Sequence, residues 1–117
     1  MKLPPIIYIA GPFHHDDLIH GVPANILNAS KIALECWKKG WAVICPHKNT
    51  AGFEHVGVPV RVWYHGDLAL LSRCDAILMI PGWERSKGAQ DELTFALKNQ
   101  IRVFYYSFGI PDPAVAR

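Results

Sequence analysis

The sequence has little of what marks several common classes of protein. Its 117 residues carry a formal net charge of only +2 without any long basic run, so the charge pattern gives no reason to expect a nucleic-acid polymer as partner. The apolar run near the N-terminus is too short for a membrane span or a signal peptide. We therefore expect a cytoplasmic protein that does not bind a membrane.

Cysteine is scarce, and two nucleotide-binding motifs are missing. Cys36, Cys45 and Cys74 are odd in number and form no C-x-x-C pair, which favours reduced core residues over a disulfide or zinc framework. No G-x-G-x-x-G follows the first predicted strand and there is no Walker A sequence, so dinucleotide oxidoreduction and triphosphate hydrolysis have no support. The segment His14, His15, Asp16, Asp17 has no metal-ligand spacing, and we expect neither a metal nor a cofactor.

The rest of the sequence is typical of a globular protein. Half of the residues are hydrophobic and 19% are charged, and we expect a single domain over residues 1–117. Strand patterns over 6–10, 41–45, 75–80 and 102–106 alternate with helix patterns over 24–39, 59–73 and a segment that begins after Ser86. This alternation predicts an α/β protein with a Rossmann-like (flavodoxin-like) three-layer sandwich and a parallel sheet of four to five strands.

Apolar spacing predicts which face of the first helix is buried. Gly40 is its expected C-cap, and a long loop, 47–57, follows the second strand. The residues predicted on the buried face are Ile26, Ala29, Ala33, Leu34 and Trp37.

The last predicted helix places a carboxylate on its apolar side. Ser86 is a natural N-cap, and Glu92 shares a stripe with Ala89, Leu93, Ala96 and Leu97. An unpaired buried carboxylate is costly and is often kept for chemistry. A Glu at the edge of the stripe that only favours the helix dipole explains the pattern equally well, and this segment alone leaves both readings open.

Asp67 and Tyr8 are further candidates for a catalytic role. Asp67 interrupts an apolar stripe made by Trp63, Leu70, Leu71 and Cys74. Facing carboxylates can separate a nucleophile from a general acid, although a single Asp of this kind is more often paired structurally. Tyr8 lies near the carboxyl end of the first strand, where ligands bind open parallel sheets, but it is also an ordinary strand residue.

Three ordered motifs resemble one known family. They are Ile-Tyr-Ile-Ala-Gly-Pro-Phe at 7–13, Gly66-Asp67-Leu68 ahead of Cys-Asp-Ala at 74–76, and Ser86-x-Gly88-x-x-x-Glu92. From about residue 7 to 103 the chain is similar to nucleoside 2-deoxyribosyltransferase-like proteins, which include deoxynucleoside 5'-monophosphate N-glycosidases. It looks most like small uncharacterised members, many of them from phages, which share Cys-Pro-His-x-Asn-Thr at 45–50 and Pro-Gly-Trp-Glu-x-Ser-Lys-Gly-Ala at 81–89.

The resemblance implies roles for individual residues. Glu92 takes the position of the nucleophile, Asp67 that of an acid that contacts ribose or handles a proton, and Tyr8 that of a hydroxyl that orients the carboxylate. The monophosphate hydrolases have a Ser where this chain has Ser86, whereas the transferases usually have an Asp there. The expected substrate-binding residues are Ser86 and Gly88 at the phosphate, then Gly11, Pro12, Phe13, His47 and Asn49.

The resemblance implies an N-glycosidase acting on a nucleoside 5'-monophosphate. The alternatives are a module that binds a nucleotide without cleaving it, and a deoxyribosyltransferase. The loop after the first strand, Pro-Phe-His-His at 12–15, departs from the Arg-containing loop of the hydrolases and favours the binder. Family members usually form dimers, so we also expect a homo-oligomer, with Trp63, Tyr64 and Trp83 as candidate interface residues.

Overall fold

The structure is a computed structural model that describes residues 2–13, 21–53 and 56–116. Its elements alternate along the chain, as the apolar periodicity predicts. The strands are β1 (Ile6–Ala10), β2 (Ala42–Ile44), β3 (Ala76–Met79) and β4 (Arg102–Tyr105), and the helices are α1 (Gly21–Lys39), α2 (Pro46–Asn49), α3 (Val60–Leu71) and α4 (Lys87–Lys98). Short 3-10 turns lie at Trp83–Arg85, Tyr106–Phe108 and Pro113–Ala116.

The four strands form one parallel sheet in the order β2-β1-β3-β4. The predicted α/β architecture is confirmed, with four strands within the described residues. Tyr8 in β1 aligns with Ile44 of β2 and Ile77 of β3, so it lies in the middle of the sheet. Because the strands are parallel, the loops that follow all of them meet at one edge.

Side chains of β1 alternate between the two faces of the sheet. Ile7 and Ile9 pack with α1 in one core layer, whereas Tyr8 and Ala10 belong to a second layer with residues of α3 and α4. All four side chains are buried. Tyr8 is therefore directed to the side of the sheet that carries Asp67 and Glu92.

The predicted buried faces of two helices were partly wrong. Leu34 and Trp37 of α1 are 53% and 54% exposed, and the buried positions are Ala29, Ile32, Ala33 and Cys36. Trp37 lies beside β2, which is the edge of the sheet, so this side of the helix extends past the strands that would cover it. Leu97 of α4, predicted on the core stripe, is also exposed.

Other boundaries differ by a few residues. α1 begins at Gly21 instead of residue 24, and the predicted loop 47–57 starts with the short helix α2. Gly40 ends α1 with a left-handed φ of 110°, as a C-cap glycine does. The C-terminal segment is docked, since the Trp41 indole donates to the Pro111 carbonyl at 2.7 Å. None of the helices described is both long and apolar enough to cross a bilayer.

Candidate active site

A cavity of about 380 Å³ opens at the edge of the sheet where the strands end. Its size is within the usual range for small-molecule sites, about 300–1,000 Å³. It lies among the loops after β1 and β2 and the first turns of α3 and α4. The lining residues used below are Gly11, Phe13, His47, Thr50, Phe53, Val58, Val60, Trp63, Tyr64, Asp67, Arg85, Ser86, Lys87, Gly88 and Glu92.

The sheet and α4 bring the fully buried Tyr8 into contact with Glu92, which lines this cavity. The Tyr8 hydroxyl donates a hydrogen bond to Glu92 Oε2 across 84 positions of sequence. Burial, together with the nearby Glu92 and Asp67 carboxylates, raises the pKa of Tyr8 far above its usual range, so the phenol keeps its proton. Glu92 Oε2 is thus occupied by a permanent donor, and Oε1 is the oxygen that remains for a ligand.

Burial also changes the acidity of both carboxyl groups. It raises the pKa of Glu92 to about 8, with a smaller increase from the charge of Asp67, while the hydrogen bond from Tyr8 opposes the rise. Burial raises the pKa of Asp67 to about 6. The two acids therefore change charge near neutral pH, the range in which general acid–base catalysis operates.

The first turn of α4 forms the second part of the site. Ser86 is the N-cap predicted from sequence, and its Oγ accepts a hydrogen bond from the Ala89 N–H at 3.2 Å. The hydroxyl proton of Ser86 and the first N–H groups of the helix can still face a ligand. A Cβ placed on Gly88 would meet nothing within 4 Å, so no neighbouring residue requires a glycine there.

Two cations accompany this helix start. Arg85 and Lys87 line the cavity on either side of Ser86. The Lys87 ammonium is held by Asp91 one turn later, at 3.2 Å. Helix amides, a hydroxyl and positive side chains make this end of the cavity suited to an anion, in contrast to the end that holds the two carboxylic acids.

The loop after β1 is positioned by packing. A Cβ on Gly11 would lie 2.3 Å from Cγ1 of the buried Ile80, so Gly11 is needed for the approach of β3 as well as lining the cavity. Pro12 is not among the residues that line the cavity within the described part of the chain. Its ring packs over Gly82, which has a left-handed φ of 93°. Phe13 lines the cavity.

The structure separates His47 from Asn49, which the sequence had grouped as binding candidates. His47 lines the cavity and is buried, its Nε2 is 2.7 Å from the Pro12 carbonyl, and burial lowers its pKa. A carbonyl can only accept, so Nε2 carries the proton. Asn49 lines a separate surface depression beside β2, because α2 rotates the two side chains to different sides.

The structure adds residues that the sequence had not assigned to the site. Phe53 and Trp63 stack on each other in the cavity wall, with ring centroids 6.0 Å apart. Trp63 and Tyr64, predicted at a subunit interface, line the cavity, whereas Trp83 packs on Tyr105. The spacing of Trp63 one turn before Asp67 is a signal that could have identified it.

The His-His-Asp-Asp segment at 14–17 lies outside the described residues. Within the described ranges, no cluster of three or more His, Cys, Asp or Glu side chains could hold a metal ion. The cysteines are free, with Cys36 and Cys74 buried and Cys45 half-buried.

One known protein family matches this sequence. Residues 5–105 match the family described as Domain of unknown function (DUF4406), and the chain belongs to that family. No curated protein matches the sequence significantly. The match covers all four strands and the residues of the cavity.

Solved structures of two enzymes share the fold. A 2-desoxiribosyltransferase from Leishmania mexicana superposes with a TM-score of 0.62 at 17% identity, over 87% of this chain and 63% of the enzyme. A 2-deoxyribosyltransferase from Bacillus psychrosaccharolyticus gives 0.61 at 18% identity, over 86% of this chain and 70% of the enzyme. The family resemblance drawn from the sequence motifs is thus confirmed at the level of the fold.

Proposed function

We propose that this protein is an N-glycosidase that cleaves the bond between base and sugar in a nucleoside 5'-monophosphate. The observation that carries the proposal is the convergence of Asp67 and Glu92 in a cavity whose other end is the first turn of α4, with the buried Tyr8 hydroxyl bonded to Glu92 from behind. A nucleotide has the matching order of parts, because its glycosidic carbon lies between a base and a phosphate. The 2-deoxyribosyltransferases that share the fold act on the same class of bond.

Glu92 is proposed as the nucleophile. Its Oε1 attacks the sugar C1' while the C1'–N bond breaks, and the electron pair of that bond leaves with the base. Asp67, or a water, gives the base its proton. Water then attacks C1' and gives its proton to the group that protonated the base, the ester bond to Glu92 breaks, and the carboxylate is restored with release of the sugar phosphate. Attack by a second base in place of water would give transfer.

Tyr8 is proposed to keep Glu92 in the reactive orientation. Its hydrogen bond to Oε2 favours the ionised form of Glu92 against the effect of burial. Ser86, Gly88 and the amides of α4 are proposed to bind the phosphate, where the absence of a Cβ on Gly88 leaves space for its oxygens. Arg85 and Lys87 add positive charge at that end.

The test is to incubate the purified protein with ribo- and deoxyribonucleosides and with their 5'-monophosphates, and to measure free base by liquid chromatography. We expect base release from monophosphates with wild type and none with Glu92→Gln, which keeps the size of the side chain. Denaturing a reaction in progress should give a protein whose mass is increased by one sugar phosphate less one water, located on the peptide that contains Glu92. Base release by Glu92→Gln at the wild-type rate would refute the assignment of Glu92 as the nucleophile.

Two controls separate the alternatives. Ser86→Ala should weaken binding of a monophosphate more than binding of the nucleoside, and equal losses for both would reject its phosphate role. Because the enzymes with this fold are named as deoxyribosyltransferases, a second free base is added in a parallel reaction. Formation of a new nucleotide at the expense of hydrolysis would identify a transferase.

A further inference from the structure

His47 has a ring nitrogen that the described part of the chain leaves without a hydrogen-bond partner. The side chain is 4% exposed and lines the cavity. Its Nε2–H donates to the Pro12 carbonyl at 2.7 Å, which fixes the tautomer and leaves a lone pair on Nδ1. Nδ1 is buried, and none of the described residues donates to it. An unsatisfied buried acceptor costs about 1–3 kcal/mol, so this atom favours a bound donor.

Neighbouring residues hold the His47 ring in one orientation. Besides the hydrogen bond to Pro12, the ring of Phe13 packs against it with centroids 5.8 Å apart. Phe13 is tied in turn to α1, because the Asn25 side chain donates to the Phe13 carbonyl at 3.1 Å. Burial lowers the pKa of His47, so the ring is neutral at pH 7. Nδ1 is therefore a fixed acceptor, which only a ligand group with an O–H or N–H can satisfy.

His47 and Glu92 reach the cavity from opposite sides of β1. His47 belongs to α2, which follows β2, and Glu92 belongs to α4, which follows β3. In the sheet, β2 and β3 are the two neighbours of β1. Both side chains line the same cavity. A sugar carbon joined to Glu92 therefore has α4 on one side and the helix that carries His47 on the other.

The direction of the second chemical step gives this arrangement a meaning. In the proposed reaction, water displaces the Glu92 carboxylate from C1', and a displacing group approaches from the face opposite the bond that breaks. The water must therefore come from the side of the cavity away from α4. His47 is on that side, and its Nδ1 accepts the kind of hydrogen that a water offers.

We propose that His47 Nδ1 binds the water that releases the sugar from Glu92. The proposal rests on the proposed function. One hydrogen of the water is held by Nδ1 while the oxygen bonds to C1', the C1'–Oε1 bond breaks, and its electron pair returns to the Glu92 carboxylate. The other hydrogen leaves as a proton to the group that protonated the base, so His47 stays neutral. A water already oriented towards C1' favours hydrolysis over transfer to a second base.

The test follows the two steps separately, in a single turnover with protein in excess over each 2'-deoxynucleoside 5'-monophosphate. Free base reports formation of the glycosyl ester, and 2-deoxyribose 5-phosphate reports its hydrolysis. In His47→Gln the amide nitrogen is as many bonds from Cα as Nε2, so it can still donate to Pro12, but no acceptor replaces Nδ1. We expect base release at the wild-type rate, sugar phosphate release slowed by about ten-fold or more, and accumulation of the glycosylated protein in mass spectra.

Two variants serve as controls. His47→Asn has an amide oxygen as many bonds from Cα as Nδ1, so it should hydrolyse the ester faster than His47→Gln does. His65→Gln makes the same exchange at an exposed position of α3, which is not part of the cavity lining in the described chain. It should change neither step.

The outcomes distinguish this role from the proposed function. Unchanged release of sugar phosphate in His47→Gln, or equal slowing of both steps, would overturn the water-binding role and leave the glycosidase proposal standing. No base release by the wild type would overturn both. Should His47→Gln fail to fold, nitrogen-15 NMR of the wild type at pH 7 provides an independent test. We expect an unprotonated Nδ1, and a protonated one would overturn the proposal because it could not accept from water.

Discussion

Replacing Tyr8 by Phe removes one hydroxyl group and leaves the buried ring in place. Tyr8 is fully buried in the core layer that faces α3 and α4, where a phenyl ring of the same shape keeps its packing. What is lost is the donor to Glu92 Oε2. Because that hydrogen bond opposes the effect of burial on Glu92, its removal must raise the pKa of Glu92 further.

The size of the effect follows from the strength of the hydrogen bond. A bond to a charged group is worth about 1.5–3 kcal/mol, which corresponds to a pKa change of about one to two. The pKa of Glu92 is raised to about 8 in the wild type, so about a tenth of it is ionised at pH 7. In Tyr8→Phe the ionised fraction at pH 7 should fall to about a hundredth or less.

The assay is the pH dependence of kcat/KM between pH 5 and 10. With a water as the source of the leaving base's proton, activity of the wild type should rise until about pH 8, and the acid limb of Tyr8→Phe should be displaced to higher pH by about one to two, with activity recovered above it. Carbon NMR of the labelled Glu92 carboxyl reads the same pKa directly. Lower activity at every pH with an undisplaced acid limb would refute the reasoning.

The chain offers a matched control for this experiment. The Tyr106 hydroxyl also donates to a glutamate, Glu35 Oε2 at 3.1 Å, away from the cavity. Tyr106→Phe therefore removes a bond of the same type and should leave the acid limb where it is in the wild type.

Three further predictions concern stability and binding. Because the raised pKa of Glu92 favours its protonated form in the folded state, stability is present in full below pH 4.5 and is lost towards pH 8. Glu92→Gln should remove this loss, raising the unfolding free energy at pH 8 relative to pH 5 by about 3.5 kcal/mol in urea titrations; equal pH dependence in both proteins would contradict it. Gly88→Ala should stabilise α4 by about 0.5–1 kcal/mol in thermal unfolding, yet weaken the binding of a nucleoside 5'-monophosphate measured by calorimetry. Gly66→Ala in α3 should give the stabilisation without the loss of binding. Gly11→Ala should lower the unfolding free energy by about 1–3 kcal/mol, because its Cβ would overlap Ile80, and an unchanged urea midpoint would contradict the packing.

The sequence predicted the parts of the site that depend on local periodicity. Ser86 caps α4, and this fixes the register that turns Glu92 inward, six residues later. The same spacing argument placed Asp67 on the inner side of α3. Tyr8 required only the alternation of a β-strand and the parallel arrangement of the sheet. Each of these inferences involves one element and its neighbours in sequence.

The inferences that failed depend on tertiary arrangement. Periodicity marks an apolar face on α1 but cannot tell which part of it extends past the edge of the sheet, and so Trp37 was misplaced. α2 is a single turn within a stretch expected to be a loop, and this turn separates Asn49 from His47. The pairing of Phe53 with Trp63 joins two segments whose relative position no local pattern determines.

The strongest argument for a ligand is the set of features around the cavity that disfavour the folded chain. Glu92 is kept where burial opposes its charge, and Gly88 occupies a helix position where Ala would fit and would favour the helix. Phe53 exposes almost half of its surface. Features that serve packing would be distributed over the molecule, whereas these three line one cavity of nucleotide size. Destabilising features that lie together in one place are characteristic of functional sites, because a bound ligand would offset the free-energy cost of all three.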